Sequence, residues 1–209
     1  NLYIGEISFG SYYGHMLGPS GVMRVDHATG CTTRVFGNNG ENGPATRAFA
    51  HGVLGIAIDD VGNVYFSDNT WGCVRKVTVA TGRLTTVAGI HGWTGTSGDG
   101  GLATMSRLAD IQGIALDTYG NLYIAETDGA RIRKVDLATG LITTVAGTGS
   151  WDDAGDGGLA TDAAIGGPRD VFITNSGTIY IATYFYIRKI TDGIISTIAG
   201  SGYEGAWPY

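Results

Sequence analysis

Short apolar runs separated by turn residues dominate the chain. In one stretch they fall at 113–117, 121–126, 131–136 and 141–146, are rich in Val, Ile, Thr and Tyr, and are bounded by Gly, Asn, Asp and Thr. This pattern predicts four β-strands. The gaps of 3–5 residues are too short for a parallel crossover, so the strands form an antiparallel meander. Tyr119-Gly120-Asn121 and Thr139-Gly140 stand where tight turns are needed.

The pattern repeats. Asn121-Leu122-Tyr123-Ile124-Ala125-Glu126 has counterparts starting at Asn1, Asn63 and Thr178, spaced by 62, 58 and 57 residues. Arg131-Ile132-Arg133-Lys134-Val135-Asp136 returns around Arg75-Lys76 and Arg188-Lys189, and more weakly at Arg24. Ile142-Thr143-Thr144-Val145-Ala146-Gly147 is echoed at 84–89, 195–200 and loosely 32–37. A four-stranded meander at a fixed period is the signature of a β-propeller blade. The predicted fold is therefore all-β. One propeller region spans 1–209, with blades at about 1–37, 55–89, 113–147 and 170–200. The first blade begins at its second strand, which leaves about 3.75 blades. That count fits a segment of a longer chain, or open blade edges completed by other copies.

Between blades lies a second repeat. Gly98-Asp99-Gly100-Gly101-Leu102-Ala103-Thr104 matches Gly155-Asp156-Gly157-Gly158-Leu159-Ala160-Thr161, with a degenerate copy at 40–46. Phe49, Leu108 and Ile165 follow these segments and are expected to anchor them against a blade. The 36 glycines then have a cause in tight turns and close backbone approach near an axis. Only 15% of residues are charged and 10% are aromatic, which excludes disorder, and four prolines exclude collagen. No apolar run approaches the ~18 residues of a membrane-spanning helix. A net charge of −6 argues against a nucleic-acid-binding surface.

Together these phrases resemble the NHL repeat family, and within it the propellers of bacterial secreted proteins and of teneurins. The resemblance covers essentially the whole chain. It implies a propeller, commonly of six blades, but no single activity. Members serve as binding platforms, extracellular sensors, RNA-binding heads and, in one case, the scaffold of an amidating lyase.

Several residues are candidates for chemistry. Asp152, Asp153 and Asp156 cluster beside one Gly-Asp-Gly-Gly loop and could offer oxygens to calcium, although no D-x-D-x-D-G pattern is present. The Arg-Lys pairs form either a basic stripe or internal pairs with acids such as Asp68, Glu126 and Asp136. The negative net charge favours the pairs. His15, His27, His51 and His91 occupy different repeat positions, and Leu54, Gln112 and Arg169 precede the innermost strands. This departs from what a lyase would need. Cys31 and Cys73 start strands at opposite ends of a sheet, which disfavours a bridge and leaves two buried thiols. Repeated aromatics point to a partner surface: Trp93 and Trp151 at one repeat position, Tyr203 and Trp207 in the equivalent region, and Tyr184-Phe185-Tyr186 in a hairpin. The alternative is that each Trp packs beneath its own loop.

The expected function is a non-enzymatic platform for protein or glycan contacts, extracellular or on a cell surface, without cofactor, nucleic acid or membrane insertion. One alternative is a structural subunit that self-associates through blade edges. Another is a propeller-scaffolded lyase or hydrolase.

Overall fold

The computed structural model describes residues 2–6, 21–25 and 32–34 as strands, and then residues 43–48 and 50–202. Its four main sheets follow one another along the chain, each antiparallel and in sequence order. Blade 1 holds β1 (Leu2–Glu6), β2 (Gly21–Val25) and β3 (Thr32–Arg34). Blade 2 holds β4 (Ile56–Ile58), β5 (Val64–Asp68), β6 (Cys73–Thr78) and β7 (Arg83–Ala88). Blade 3 holds β8 (Ile111–Leu116), β9 (Asn121–Glu126), β10 (Arg131–Asp136) and β11 (Ile142–Ala146). A short ribbon, β12 (Asp153–Ala154) with β13 (Ala164–Ile165), leads to blade 4. That blade holds β14 (Asp170–Ile173), β15 (Ile179–Ala182), β16 (Ile187–Thr191) and β17 (Ile194–Ala199). No helix among the described residues is long and apolar enough to cross a membrane.

β8 begins two residues before the expected 113. Ile111 pairs with Glu126, and the ladder resumes at Ile114 opposite Ile124. In the interruption the Gly113 N–H turns to the next blade and donates to the Arg169 carbonyl at 2.8 Å. β8 thus lies against both β4 and β14, which puts the first strands of blades 2, 3 and 4 on the inner side. A Cβ at Gly113 would stand 2.6 Å from the Asp170 Cα and 2.9 Å from the Arg169 carbonyl oxygen, and one at Gly55 would strike the Gln112 carbonyl. These glycines are spacers between blades.

The core lies as slabs between blades. On β9, Leu122 and Ile124 face blade 2, where they join Tyr65, Val74 and Ala88. Tyr123 and Ala125 face blade 4, where they join Val171, Ile173 and Ile181. β9 is therefore buried on both faces, and each fully buried Leu or Ile contributes about 1.5–3 kcal/mol. The inter-blade segments wedge Ala103 and Leu108 into one slab and Ala160, Ala163 and Ile165 into the next. Leu108 and Ile165 are the anchors expected; Phe49 lies outside the described residues. The outer face of blade 4 differs. Phe172 is 62% exposed there, and Ile187 and Ile198 are exposed, whereas their blade-3 counterparts Ala115, Ile132 and Val145 lie in the core slab.

Candidate functional site

The Arg-Lys pairs do not form a surface stripe. At each one a β-bulge interrupts pairing with the fourth strand, between Val74 and Arg75, Ile132 and Arg133, and Ile187 and Arg188. The arginine of each pair is buried. Arg133 is 1% exposed; its Nη1 donates to Glu126 at 3.0 Å, and its Nε and Nη2 donate to Asp99 at 2.9 and 2.6 Å. Arg75 Nη1 stands 3.4 Å from Asp68. In blade 4 the acid of the hairpin is replaced by Thr183, and Arg188 Nη2 donates to Asp156 at 2.7 Å. The pairing expected for Asp68 and Glu126 is present, but Asp136 instead accepts the backbone N–H groups of Ala138 and Thr139 at a turn. Burial pushes the Glu126 and Asp68 carboxyls above their ordinary values, against the pull of their hydrogen bonds and arginines.

The same contacts occupy two of the three calcium candidates. Asp156 bonds Arg188, and Asp153 Oδ1 lies 3.7 Å from the same guanidinium and accepts the Gly166 N–H. Asp152 turns to the Ser150 hydroxyl. Among the described residues no group of three or more His, Cys, Asp or Glu side chains could hold a metal ion.

The aromatics gather elsewhere. Because neighbouring strands are antiparallel, the starts of the first strands, the hairpins between second and third strands and the ends of the fourth strands meet at one end of the molecule. There Trp93 and Trp151 are 58% and 53% exposed, so they do not pack beneath their loops. Arg107 lies over the Trp93 ring, 5.1 Å from its centre. Tyr184 and Phe185 are exposed at the tip of the blade-4 hairpin, while Tyr186 is half-buried below them. Trp151 and Tyr184 stand 6.3 Å apart. Tyr203, Trp207 and Cys31 lie outside the described residues, and Cys73 is buried at the start of β6. In blade 2 the equivalent hairpin brings Trp71 into a 4.5 Å stack with His91, with His51 at its edge. Sequence spacing separated these histidines, whereas the fold brings His51 and His91 to one tryptophan.

A polar chain crosses this end. Asn69 of blade 2 donates to Asp110 Oδ1 at 2.7 Å, and Gln112 of blade 3 donates to Asp110 Oδ2 at 3.2 Å. Arg169, leading into blade 4, reaches Gln112 Oε1 at 3.4 Å and stacks 3.8 Å over Tyr184. Asp110 has φ 44°, while its repeat counterparts Gly52 and Gly167 have φ 69° and 56°. A side chain held in this left-handed region costs energy and draws attention to function. Asp110 carried no motif; its one sequence signal is an aspartate where the repeat has glycine. The glycine at 167 has a second role, since a Cβ there would fall 2.6 Å from the Tyr184 ring and 3.1 Å from Trp151.

Residues 92–152 match the family model described as the Teneurin NHL domain. Over those residues the repeat therefore matches that of an NHL domain. Zebrafish (Danio rerio) Teneurin-3 is 39% identical over 95 residues, which cover 39% of this chain and 4% of that protein. The chloroplastic protein SUPPRESSOR OF QUENCHING 1 of Arabidopsis thaliana is 29% identical over 106 residues, 50% of this chain and 10% of that one. The chain thus matches a small part of these relatives. Among solved structures, a protein of unknown function from Bacteroides thetaiotaomicron superposes with a TM-score of 0.61 and 26% identity, over 78% of this chain and 39% of that one. A chain of the Nidogen/Laminin complex gives 0.60 at 14% identity, over 96% and 62%. An inactive virginiamycin B lyase from Staphylococcus aureus gives 0.53 at 14%, over 85% and 47%. The last two likenesses concern the fold alone.

Proposed function

We propose that this NHL propeller segment is a non-enzymatic binding module, extracellular or on a cell surface, whose aromatic end takes a protein or glycan partner. The observation that carries this is the set of exposed aromatics, Trp93, Trp151, Tyr184 and Phe185, held at one end by a rigid framework. Exposed Trp and Tyr with Arg are the side chains that anchor interfaces. Beside them Arg107 and Arg169 are exposed and make no ion pair among the described residues. The most deeply buried acids with raised pKa, Asp68 and Glu126, are sealed from solvent against arginines, where no substrate reaches them. This favours binding over catalysis. The likeness to teneurin domains supports a surface location, although the Arabidopsis relative is named as chloroplastic.

Self-assembly is a second reading, supported by the uncovered apolar face of blade 4 at Phe172, Ile187 and Ile198 rather than by an open strand edge. One experiment tests both. A photo-crosslinking residue is placed at 93, 151 or 184, at Tyr119 on the opposite end, or at Phe172, and the protein is applied to intact cells and secreted material of its source. Crosslinks to a partner from the first three positions are expected. Crosslinks from Tyr119 alone would overturn the assignment of the face, and crosslinks from Phe172 to a second copy would put assembly first.

A further inference from the structure

We infer that the Trp151–Arg169–Tyr184 platform binds a sugar that carries a carboxylate, such as the terminal uronic acid of an acidic glycan. The inference rests on reading the aromatic end as the binding face and names the ligand chemistry of one part of it. Arg169 is the starting point. In a chain of net charge −6, this exposed guanidinium has no acidic partner among the described residues. It lies 3.8 Å over the Tyr184 ring, and its one hydrogen bond among the described residues is the long 3.4 Å contact to Gln112. Stacking holds the planar group in place and leaves donors on its edge for a ligand. A carboxylate fits such an edge with two parallel hydrogen bonds.

The surroundings suit a sugar ring. Trp151 is half-exposed beside Tyr184, with ring planes 36° apart, and offers an apolar wall to the C–H face of a pyranose. Asp110 and Gln112 stand on the other side of Arg169 as acceptor and donor for hydroxyls. Asp110 already accepts two hydrogen bonds, and a carboxylate has about four acceptor positions. Hydrogen bonds tie this pair, Asp110 to Asn69 and Gln112, and Gln112 to Arg169. All three groups are therefore pre-positioned, so little ordering entropy is lost on binding.

An acidic peptide is the competing ligand, and the hairpin disfavours it. Peptides that bind sheets add their backbone to a free edge. Here the Thr183 N–H donates to the Tyr186 carbonyl, and the Phe185 and Tyr186 N–H groups donate to the Thr183 hydroxyl. Three of the four backbone donors at 183–186 are thereby engaged, and a turn closed in this way is not a free strand edge.

The test is calorimetric titration of the chain with three probes: a glucuronic-acid-terminated oligosaccharide, its neutral carboxyl-reduced counterpart, and a glutamate-rich peptide. Binding of the acidic sugar is expected to weaken as salt rises. The neutral sugar is expected to bind about tenfold or more weakly, and Arg169→Gln to lose a similar factor for the acidic one, because a charge-assisted bidentate contact is lost. Trp151→Ala should weaken both sugars. Tyr119→Ser, on the opposite end, should change neither. Equal affinity for acidic and neutral sugars, unchanged affinity in Arg169→Gln, or preference for the peptide would each overturn the inference. Failure to bind any sugar while crosslinking at 151 and 184 persists would overturn the glycan chemistry and leave the binding face standing. Loss of that crosslinking as well would remove both.

Discussion

Asp110 shows how one residue can depart from its repeat. Blades 2 and 4 place glycine at this backbone position, and blade 3 places an aspartate that ties Asn69 to Gln112. A non-glycine residue in the left-handed region costs ~1–2 kcal/mol, and the two hydrogen bonds offset part of that. Asp110→Gly is expected to keep stability within about 1 kcal/mol, because relief of strain compensates for the lost bonds. Asp110→Ala keeps the strain and loses the bonds, so it should be the less stable of the two by about 1 kcal/mol in urea unfolding. The opposite order would mean that the backbone there is not strained. Other single-residue roles were only half legible. Asn63 and Asn121 read as the first positions of a repeated phrase, and Asn121 also as part of a tight turn. In the fold each pairs with an aspartate four residues earlier: Asp59 and Asp117 accept the backbone and side-chain N–H groups of these asparagines. The Tyr123 hydroxyl joins Asp117, and burial with that neighbouring charge lifts its pKa to about 12.

At the scale of elements, strands and turns were readable because each blade is built from local contacts. The third unit's middle strands fall at 121–126 and 131–136 as the apolar runs predict. Bulges were not readable, since an inserted residue leaves no mark in a run of apolar side chains. Yet the bulge beside each buried arginine re-aims its strand. The aspartates of the two Gly-Asp-Gly-Gly segments, Asp99 and the calcium candidate Asp156, are the partners of arginines 34 and 32 residues later. Close approach is likewise an inter-element property. Gly113→Ala pushes a methyl into backbone atoms of blade 4 and should cost about 2–3 kcal/mol, as overpacking does. Gly120→Ala has open space and only an unfavourable φ of 82°, so about 1 kcal/mol is expected. Equal losses in chemical denaturation would mean that the blades can separate to accept the methyl.

For the molecule as a whole, the charged groups predict a pH response. Burial pushes Asp59 and Asp117 up, but hydrogen bonds from Asn63 and Asn121 outweigh it and hold both below 3.8. Their contribution is present above the ordinary carboxylate value and is lost as pH falls through the lower folded one. Glu126 and Asp68 have the opposite sign. Burial holds them above 4.5 and 3.8, so their ionised forms oppose folding and protonation relieves that opposition as pH falls. The thermal midpoint should therefore be no lower at about pH 5 than at pH 7, and should drop steeply below about pH 4. A steady decline from pH 7 downward would show that the buried acids are not raised. Blades 2 and 3 each carry both kinds of group, Asp59 with Asp68 and Asp117 with Glu126, so each contributes to the profile in both directions.

The sequence alone determined what repeats: an all-β chain of four-stranded units, their strand and turn positions, and the aromatics at their ends. These follow from short-range rules, in which glycine, asparagine and alternating apolar residues act on neighbours a few positions away. The tertiary structure decided which groups meet. It buried the arginines, gave their aspartates a structural duty, and left Trp93, Trp151, Tyr184 and Phe185 exposed together. It also joined Asn69, Asp110, Gln112 and Arg169 into one chain across three blades. The two contacts of that chain that cross between blades span about 40–60 residues of sequence, and their geometry is set by how blades pack on one another, which no local pattern encodes.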